Sequence, residues 1–184
     1  MRVMYATYQG RRVAPMSSAF LRFISIIGLL CLPAIATAQQ PIPDDLVISL
    51  QRGNCEGGCP VYRVLIFANG DVIWQGRGRV ARPGVALSAL ERDRIRALIQ
   101  DFEAIDYFHL ENIYGFHGAG CRSTTTPGAS MAITSLSMGG VSRILSHYAG
   151  CAGEIPDRLT ALENDIDKVA NTARWIVGEP PTGK

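Results

Sequence analysis

The amino-acid sequence predicts an α+β domain: an antiparallel sheet of about five strands with two helices packed on one face, in the order β-β-β-α-β-β-α. Three observations lead to this class. Two strand-like runs flank Asn69-Gly70, two more flank Gly139-Gly140, and two longer segments repeat apolar residues at helical spacing. Tight hairpins produce antiparallel sheets, and a helix with one apolar stripe covers one face of a sheet.

The predicted strands are alternating or rich in β-branched and aromatic residues. The first covers 46–52, where Leu46, Ile48 and Leu50 alternate with other residues. The second and third, 61–67 and 72–80, form the hairpin around Asn69-Gly70 and end before Arg82-Pro83-Gly84. The last two, 131–136 and 141–145, form the second hairpin.

The predicted helices have recognisable starts. Ser88 and Glu91 have the spacing of a capping box, in which the hydroxyl and the carboxylate each bond the other residue's amide. From there an amphipathic helix of about five turns runs to Ile105. Pro156 suits the first turn of a second helix, which we expect to continue to Gly178. The segment between the first helix and Cys121 is irregular.

The N-terminal segment is typical of a cleaved export signal. Residues 1–38 contain four arginines and no acid, then a short apolar run, then the small-residue pattern Ala36-Thr37-Ala38. Pro33 interrupts the run, and a membrane span needs about 18 continuous apolar residues. We therefore expect cleavage after Ala38, a periplasmic or secreted protein, and no transmembrane span in the mature chain.

These features divide the chain into four parts. Residues 1–38 are the signal peptide, 39–45 an extended lead-in, 46–178 a single α+β domain and 179–184 a tail. Met16 is an alternative to Met1 as the start of translation. Residues 39–184 hold 14 basic and 16 acidic side chains, which are interspersed rather than clustered. That pattern gives no electrostatic footprint for nucleic acid or anionic lipid as a partner.

The four cysteines of the mature chain predict disulfides. Cys55, Cys59, Cys121 and Cys151 form an even set, and an oxidising compartment favours disulfides over free thiols. Three pairings are possible. We favour Cys55 with Cys59 and Cys121 with Cys151, because the glycines inside the short loop allow a tight reversal. Loop entropy then predicts about 3 to 4 kcal/mol of stabilisation from the long bridge and about 2 from the short one.

The residues around the first cysteine pair resemble a known family. Cys55-Glu56-Gly57-Gly58-Cys59-Pro60-Val61-Tyr62 fits a C-x-G-x-C-P-x-Y signature followed by an apolar strand, and a late His147-Tyr148 precedes the closing helix. Over roughly 46–176 the chain resembles the bacterial domain of unknown function numbered 6438. The resemblance implies an exported protein or lipoprotein and no agreed activity. It also implies an acid before Pro127, where this chain has Thr124-Thr125-Thr126.

The cysteine motif has an alternative interpretation as a metal or redox site. Cys55 and Cys59 with the distant His147 make a soft donor set suited to Cu(I) or Zn(II). The spacing C-x-x-x-C-P is similar to the copper motif of Sco-type chaperones. There, however, the motif leads into a helix, whereas here it leads into a predicted strand.

The favoured function is a non-catalytic envelope or secreted module, of binding or structural type, that needs no cofactor. The sequence contains neither a G-x-S-x-G nucleophile elbow nor a P-loop lysine, so neither motif indicates an enzyme. The partner or ligand is unidentified, and the sheet face left bare by the helices is its expected place. The candidate binding residues are Tyr62, Trp74, His147 and Tyr148.

Overall fold

The structure, a computed structural model, describes residues 41–115, 120–124 and 126–178. The predicted signal peptide, residues 39–40 of the lead-in and the 179–184 tail lie outside the described residues. The strands are β1 Val47–Arg52, β2 Val61–Phe67, β3 Asp71–Gly78, β4 Gly84–Ala89, β5 Ile113–Tyr114, β6 Ser123–Thr124, β7 Met131–Met138, β8 Val141–Tyr148 and β9 Cys151–Ala152. The helices are α1 Arg92–Ala104, α2 Glu154–Ala170 and α3 Ala173–Ile176, with a 3₁₀ turn at Tyr107–His109.

In the described part of the chain the fold is α+β, as predicted, but its sheet is larger and mixed. Seven strands lie in the order β4-β3-β2-β1-β7-β8-β5. Their neighbours are antiparallel, except that β5 runs parallel to β8. A separate two-stranded ladder joins β6 and β9. The prediction of about five antiparallel strands and two helices is therefore correct in class and wrong in detail.

The missed strand β4 explains the largest error. Ser88 was predicted to cap a helix, but it lies in β4 opposite Val72. The amide of Leu90 still donates to the carbonyl of Gly70 at 2.8 Å, so the chain remains in the sheet until that residue. Helix α1 begins only at Arg92, and its N-cap Glu91 makes no side-chain capping bond. Pairing with β3 thus overrides the local capping signal.

The last predicted helix is divided into two. Asn171 adopts a left-handed conformation, with φ 52°, and ends α2. The hydroxyl of Thr172 then bonds a carboxylate oxygen of Asp167 at 3.0 Å, and the short α3 starts at Ala173. The helix predicted to reach Gly178 in one piece is therefore interrupted, because a left-handed residue cannot continue a right-handed helix.

The strand register separates a covered face of the sheet from an open face. Ile48 is paired with Ile66 and Leu136, and Leu50 with Val64 and Thr134. All of these are buried. The apolar stripes of the helices pack against the same layer through the buried residues Ile95, Leu98, Phe102, Leu159, Leu162 and Ile166. The alternate residues of each strand form the open face, which no described helix covers.

An aromatic stack fixes α3 beside the β4 end of the sheet. The rings of Tyr62 and Trp74 stack at 4.6 Å, and those of Trp74 and Trp175 at 5.2 Å. The indole of Trp74 also donates to the carbonyl of Arg82 at 2.9 Å. Gly76 makes room for this contact, since a Cβ there would lie 2.2 Å from the same carbonyl oxygen. The turn before β4 is thereby held against α3.

Candidate functional site

The structure brings the cysteines together in the favoured pairs. Cys55 and Cys59 form one disulfide and Cys121 and Cys151 the other, each with a Cα separation of 5.3 Å. Gly58 adopts a φ of +81° at the reversal of the short loop, a backbone conformation that glycine allows. The short bridge closes the loop between β1 and β2, and the long bridge joins β9 to the segment before β6.

The alternative metal ligands are not grouped. The sulfurs of Cys55 and Cys59 bond each other, and His147 is fully buried on β8 with its Nδ1 3.0 Å from Glu163 Oε1. Among the residues that the structure describes, no three or more His, Cys, Asp or Glu side chains are arranged to hold a metal. Metal binding by a reduced cysteine pair stays a prediction.

His147 belongs to a cluster of polar side chains between the sheet and α2. We call Arg52, Tyr62, His147, Glu163, Asp167 and Thr172 the polar cluster. Its sheet members form a row across four strands, because Arg52 is paired with Tyr62 on one side and Ala132 on the other, and Ala132 with His147. The small side chain of Ala132 leaves space for α2 to approach. Glu163 and Asp167, four residues apart, point from one side of that helix.

Arg52 is the centre of the polar cluster. Its Nη1 donates to Glu163 Oε2 at 2.9 Å, and its Nη2 donates to Asp167 Oδ2 at 3.0 Å. The Tyr62 hydroxyl donates to the other Asp167 oxygen at 2.6 Å. Three strands and α2 are thus joined by charged hydrogen bonds, with His147 attached through Glu163.

The electrostatics follow from burial and from these partners. Burial raises the pKa of Tyr62 far above its usual range, and the charge of Asp167 adds to the shift. Burial alone would lower the pKa of Arg52, but the carboxylates of Asp167 and Glu163 outweigh it and raise that pKa. Tyr107, next to the cluster, has a pKa raised by burial and then by Glu163. Arg52 is therefore charged, and both tyrosines are neutral, at physiological pH.

The chemistry of the polar cluster is that of a structural interlock. A histidine held by a carboxylate is the arrangement of a general base with its orienting acid. Here, however, His147 and Glu163 have no exposed surface, and His147 Nε2 has no hydrogen-bond partner in the described part of the chain. The pair lies between the sheet and α2, and its hydrogen bond helps to hold the helix on the sheet.

The other candidate binding residues are buried too. Tyr62 and Trp74 lie in the aromatic stack of the covered face. Tyr148 is buried at the end of β8, where its hydroxyl donates to the Thr126 carbonyl at 2.9 Å and accepts from the Ala129 amide. In the structure all four predicted binding residues contribute to the interior. Strand alternation places Tyr62, Trp74 and His147 on the covered face. Tyr148 follows His147 on β8 and therefore points to the other side, where it is buried against the segment that contains Thr126 and Ala129.

An exposed surface that was not predicted from the sequence lies at the edge strand β4. Val85 is 61% exposed and Leu87 75% exposed, and both point to the open face. Its sequence, Gly-Val-Ala-Leu-Ser-Ala, contains no charge and no proline. Two of the usual means of protecting a sheet edge, a charged side chain and a proline, are therefore missing from this strand. The alternation of Val85 and Leu87 with small residues was the signal available in the sequence.

The backbone groups of β4 that have no partner in the described part of the chain belong to the same residues. Leu90 donates to Gly70, so the pairs two, four and six positions earlier on β4 are also hydrogen-bonded to β3. Ser88, Ala86 and Gly84 thus turn their amides and carbonyls inward. Val85, Leu87 and Ala89 direct theirs away from the sheet. We call this strand, with those outward groups, the β4 edge.

Two shallow grooves flank the β4 edge. The arginine groove, about 710 Å³, lies between β4 and α3 and is lined by Arg82, Ala86, Arg174, Trp175 and neighbouring residues. The acidic groove, also about 710 Å³, lies on the other flank. Its lining combines apolar and charged residues, namely Val47, Phe67, Ile73 and Leu87 with Asp44, Asp45, Asp71 and Arg92. The edge is thus bordered by opposite charges.

The comparison with known families agrees with this organisation. The model of the family described as Domain of unknown function (DUF6438) matches residues 46–170. The chain belongs to this family. The DUF6438 region begins one residue before β1 and ends with α2, so it contains the β4 edge and every member of the polar cluster except Thr172. No curated protein matches the chain.

In the described ranges, no helix is both long and apolar enough to cross a bilayer.

The polar cluster predicts a large cost for losing one charge. Replacing Glu163 by Gln leaves Arg52 with one carboxylate and His147 without its anionic partner. Because a broken buried ion pair costs about 3 to 5 kcal/mol, we expect the free energy of unfolding in urea to fall by about 3 kcal/mol. Asp157, exposed on the same helix, supplies the matched control: Asp157→Asn is expected to cost less than about 1 kcal/mol. Equal losses would contradict the role assigned to the cluster.

The two shifted tyrosines predict weaker folding at alkaline pH. Since the pKa values of Tyr62 and Tyr107 are raised in the folded state, the unfolded chain releases these protons first, near pH 10. Their contribution is complete below about pH 10 and is lost as the pH rises further. Urea unfolding at pH 8 and pH 11 measures this loss. The loss is expected to shrink in the Tyr62→Phe, Tyr107→Phe double variant, and an unchanged loss would refute the assignment.

Proposed function

We propose that the protein is an exported, non-catalytic module that binds a partner protein through the β4 edge and the adjoining open face. The observation that carries this proposal is an uncharged edge strand with free backbone groups and two exposed aliphatic side chains. Such an edge is a template for pairing with another chain. A partner that covers it would remove both the apolar exposure and the unpaired backbone groups.

The rest of the open face extends the binding surface. Ile133 and Ile144 are exposed there, on the far side of β1 from β4. Between the two ends lies the partly exposed Ser135, which bonds the buried Ser49 at 2.6 Å. An apolar surface with polar residues at intervals is the composition of a non-obligate interface.

The interior supports the non-catalytic part of the proposal. The residues with the most evident acid-base chemistry, His147 and Glu163, face each other beneath α2. Their hydrogen bond holds the fold, while the arginine groove and the acidic groove lie on the surface beside an edge strand. The export part rests on the N-terminal segment and on the two disulfides, which persist in oxidising compartments.

Export predicts a specific mature protein. Protein purified from the periplasm or medium of its native host is expected to begin at Gln39. All four remaining cysteines should resist alkylation until a reductant is added. Intact-mass spectrometry with and without reduction measures both properties. A full-length cytoplasmic product, or four thiols that alkylate without reductant, would overturn this part of the proposal.

Partner binding predicts position-dependent crosslinking in the native host. A photoreactive p-benzoylphenylalanine that replaces Leu87 should yield a discrete adduct of higher mass on illumination, because that side chain lies under the partner. The matched control carries the same photoreactive residue in place of Asp157, an exposed position on α2. Adducts are read on denaturing gels and identified by mass spectrometry. An adduct pattern that is the same at both positions, or no adduct from position 87, would refute the proposed surface.

A further inference from the structure

We propose that the β4 edge receives an extended segment of the partner as an eighth strand, and that an acidic side chain of this segment enters the arginine groove. This inference rests on the proposed function and specifies the chemistry of the ligand. The segment alternates apolar and acidic residues. Its apolar side chains lie beside Val85 and Leu87, and its acidic side chains lie on the covered side.

The backbone of β4 determines which residues make the main-chain bonds. Val85 and Leu87 are separated by two positions, and each offers an outward amide and carbonyl. An added strand, parallel or antiparallel, satisfies these groups with alternate residues of its own. The resulting hydrogen bonds are independent of the partner's side chains. They provide affinity, and the grooves provide selectivity.

The alternation of a strand connects the two faces. Partner side chains on the open side meet Val85 and Leu87, so aliphatic residues fit there. The next side chain in either direction points to the covered side, where Ala86 leaves space above the arginine groove. One extended segment therefore meets an apolar surface and a basic groove in turn.

The arginine groove is prepared for a carboxylate. The amides of Ala81 and Arg82 donate to the carbonyls of Ile176 and Trp175, both at 2.9 Å, which fixes the groove walls. The guanidinium carbon of Arg174 lies 4.1 Å from the centre of the Trp175 ring. Stacking holds a guanidinium in one plane and leaves its edge free for a carboxylate.

Arg82 and Arg174 are not paired with any acid among the residues that the structure describes. In the described ranges neither Arg82 nor Arg174 forms an ion pair, and the buried Nε of Arg174 has no hydrogen-bond partner. The lining of the groove contains both arginines and no carboxylate. An acidic side chain from outside would complete it, because a planar guanidinium pairs best with a carboxylate.

Charge disfavours a second copy of this chain as the occupant. Two β4 strands related by a two-fold axis would place Val85 opposite Leu87 of the other copy, which suits the open side. On the covered side, however, the same axis would bring the two arginine grooves next to each other. Four arginines without an acid between them repel, so an acidic segment from another protein fits better.

Synthetic peptides test the inference directly. The probe is a fluorescent Gly-Ser-Val-Glu-Leu-Glu-Val-Ser-Gly peptide, added to the purified mature protein, with binding followed by anisotropy. Two control peptides keep the length: one has lysine in place of both glutamates, and the other has the same composition with its apolar residues in one block. We expect at least tenfold weaker binding of both controls, about the effect of one lost charged contact.

Protein variants locate the site. Arg174→Gln and Arg82→Gln should each weaken binding of the glutamate peptide several-fold, and neither should weaken binding of the lysine peptide, because each removes a positive charge. The matched control, Arg94→Gln, changes an exposed arginine of α1 and should have no effect. Circular dichroism and the urea midpoint confirm that each variant is folded.

The outcomes separate this inference from the proposed function. Equal affinity for the glutamate and lysine peptides, or equal effects of Arg174→Gln and Arg94→Gln, would refute the acidic segment. Sedimentation that shows a dimer dissociated by Leu87→Lys would identify a second copy as the occupant and also refute it. If position 87 crosslinks to a partner while these peptides fail, only the ligand chemistry is wrong. If position 87 does not crosslink, the binding surface itself is wrong.

Discussion

The attachment of α2 to the sheet depends on one arginine at the end of β1. Arg52 lies where the chain leaves the sheet for the disulfide loop, and it bonds carboxylates of two successive turns of α2. Removing a guanidinium from water is costly unless several acceptors replace the lost water. Glu163 and Asp167 replace it here, and the Tyr62 hydroxyl and His147 occupy their remaining oxygens. The contacts that neutralise the charge of Arg52 are therefore the same contacts that position α2.

The contacts between Arg52 and α2 also determine which side of the sheet is covered. All of the polar cluster's sheet members point to one face, so α2 packs there, and α1 and α3 follow on the same face. The other face has alternating side chains and no described helix above it. The exposed aliphatic residues of β4 are a consequence, since strand alternation must place every second side chain on the uncovered side. The polar cluster inside and the proposed binding surface outside therefore follow from the same strand alternation.

The sequence alone predicted the class of the fold and much of its order. Three features could be predicted because their signals are local. Asn69-Gly70 and Gly139-Gly140 indicated the two hairpins, Gly58 the short disulfide loop, and Pro156 the start of the last long helix. The polar cluster was not readable, because Arg52 and Asp167 are separated by 115 positions and meet only through the folded sheet. Alternation indicates which residues share a face, but not which of two faces a helix will cover.

Competition between signals caused the other errors. Ser88 and Glu91 have the spacing of a helix start, yet Ser88 pairs with Val72 because β3 offers a hydrogen-bonding edge. The helix predicted to reach Gly178 is divided at Asn171, where a left-handed residue ends it, and local periodicity cannot reveal a break of one residue. At Ser88 a contact made only on folding is stronger than the local preference, as is usual for short segments. At Asn171 the break is itself local, because a left-handed cap bonds back to Asp167 and Lys168.

Arg52 differs from Arg82 and Arg174 in whether its charge is paired with carboxylates of the described chain. Arg52 is 13% exposed and saturated by carboxylates, so its charge is already used to hold the fold. Arg82 and Arg174 line a groove on the surface and have no described acid, so their charge is available to another molecule. A carboxylate that docks there loses less hydration than one buried beneath α2, and the β4 edge supplies the main-chain bonds that an isolated ion pair lacks. In the proposed complex, the backbone of the β4 edge binds the partner's segment, and Arg82 and Arg174 select its acidic side chains. Neither the arginine groove nor the β4 edge would be selective alone.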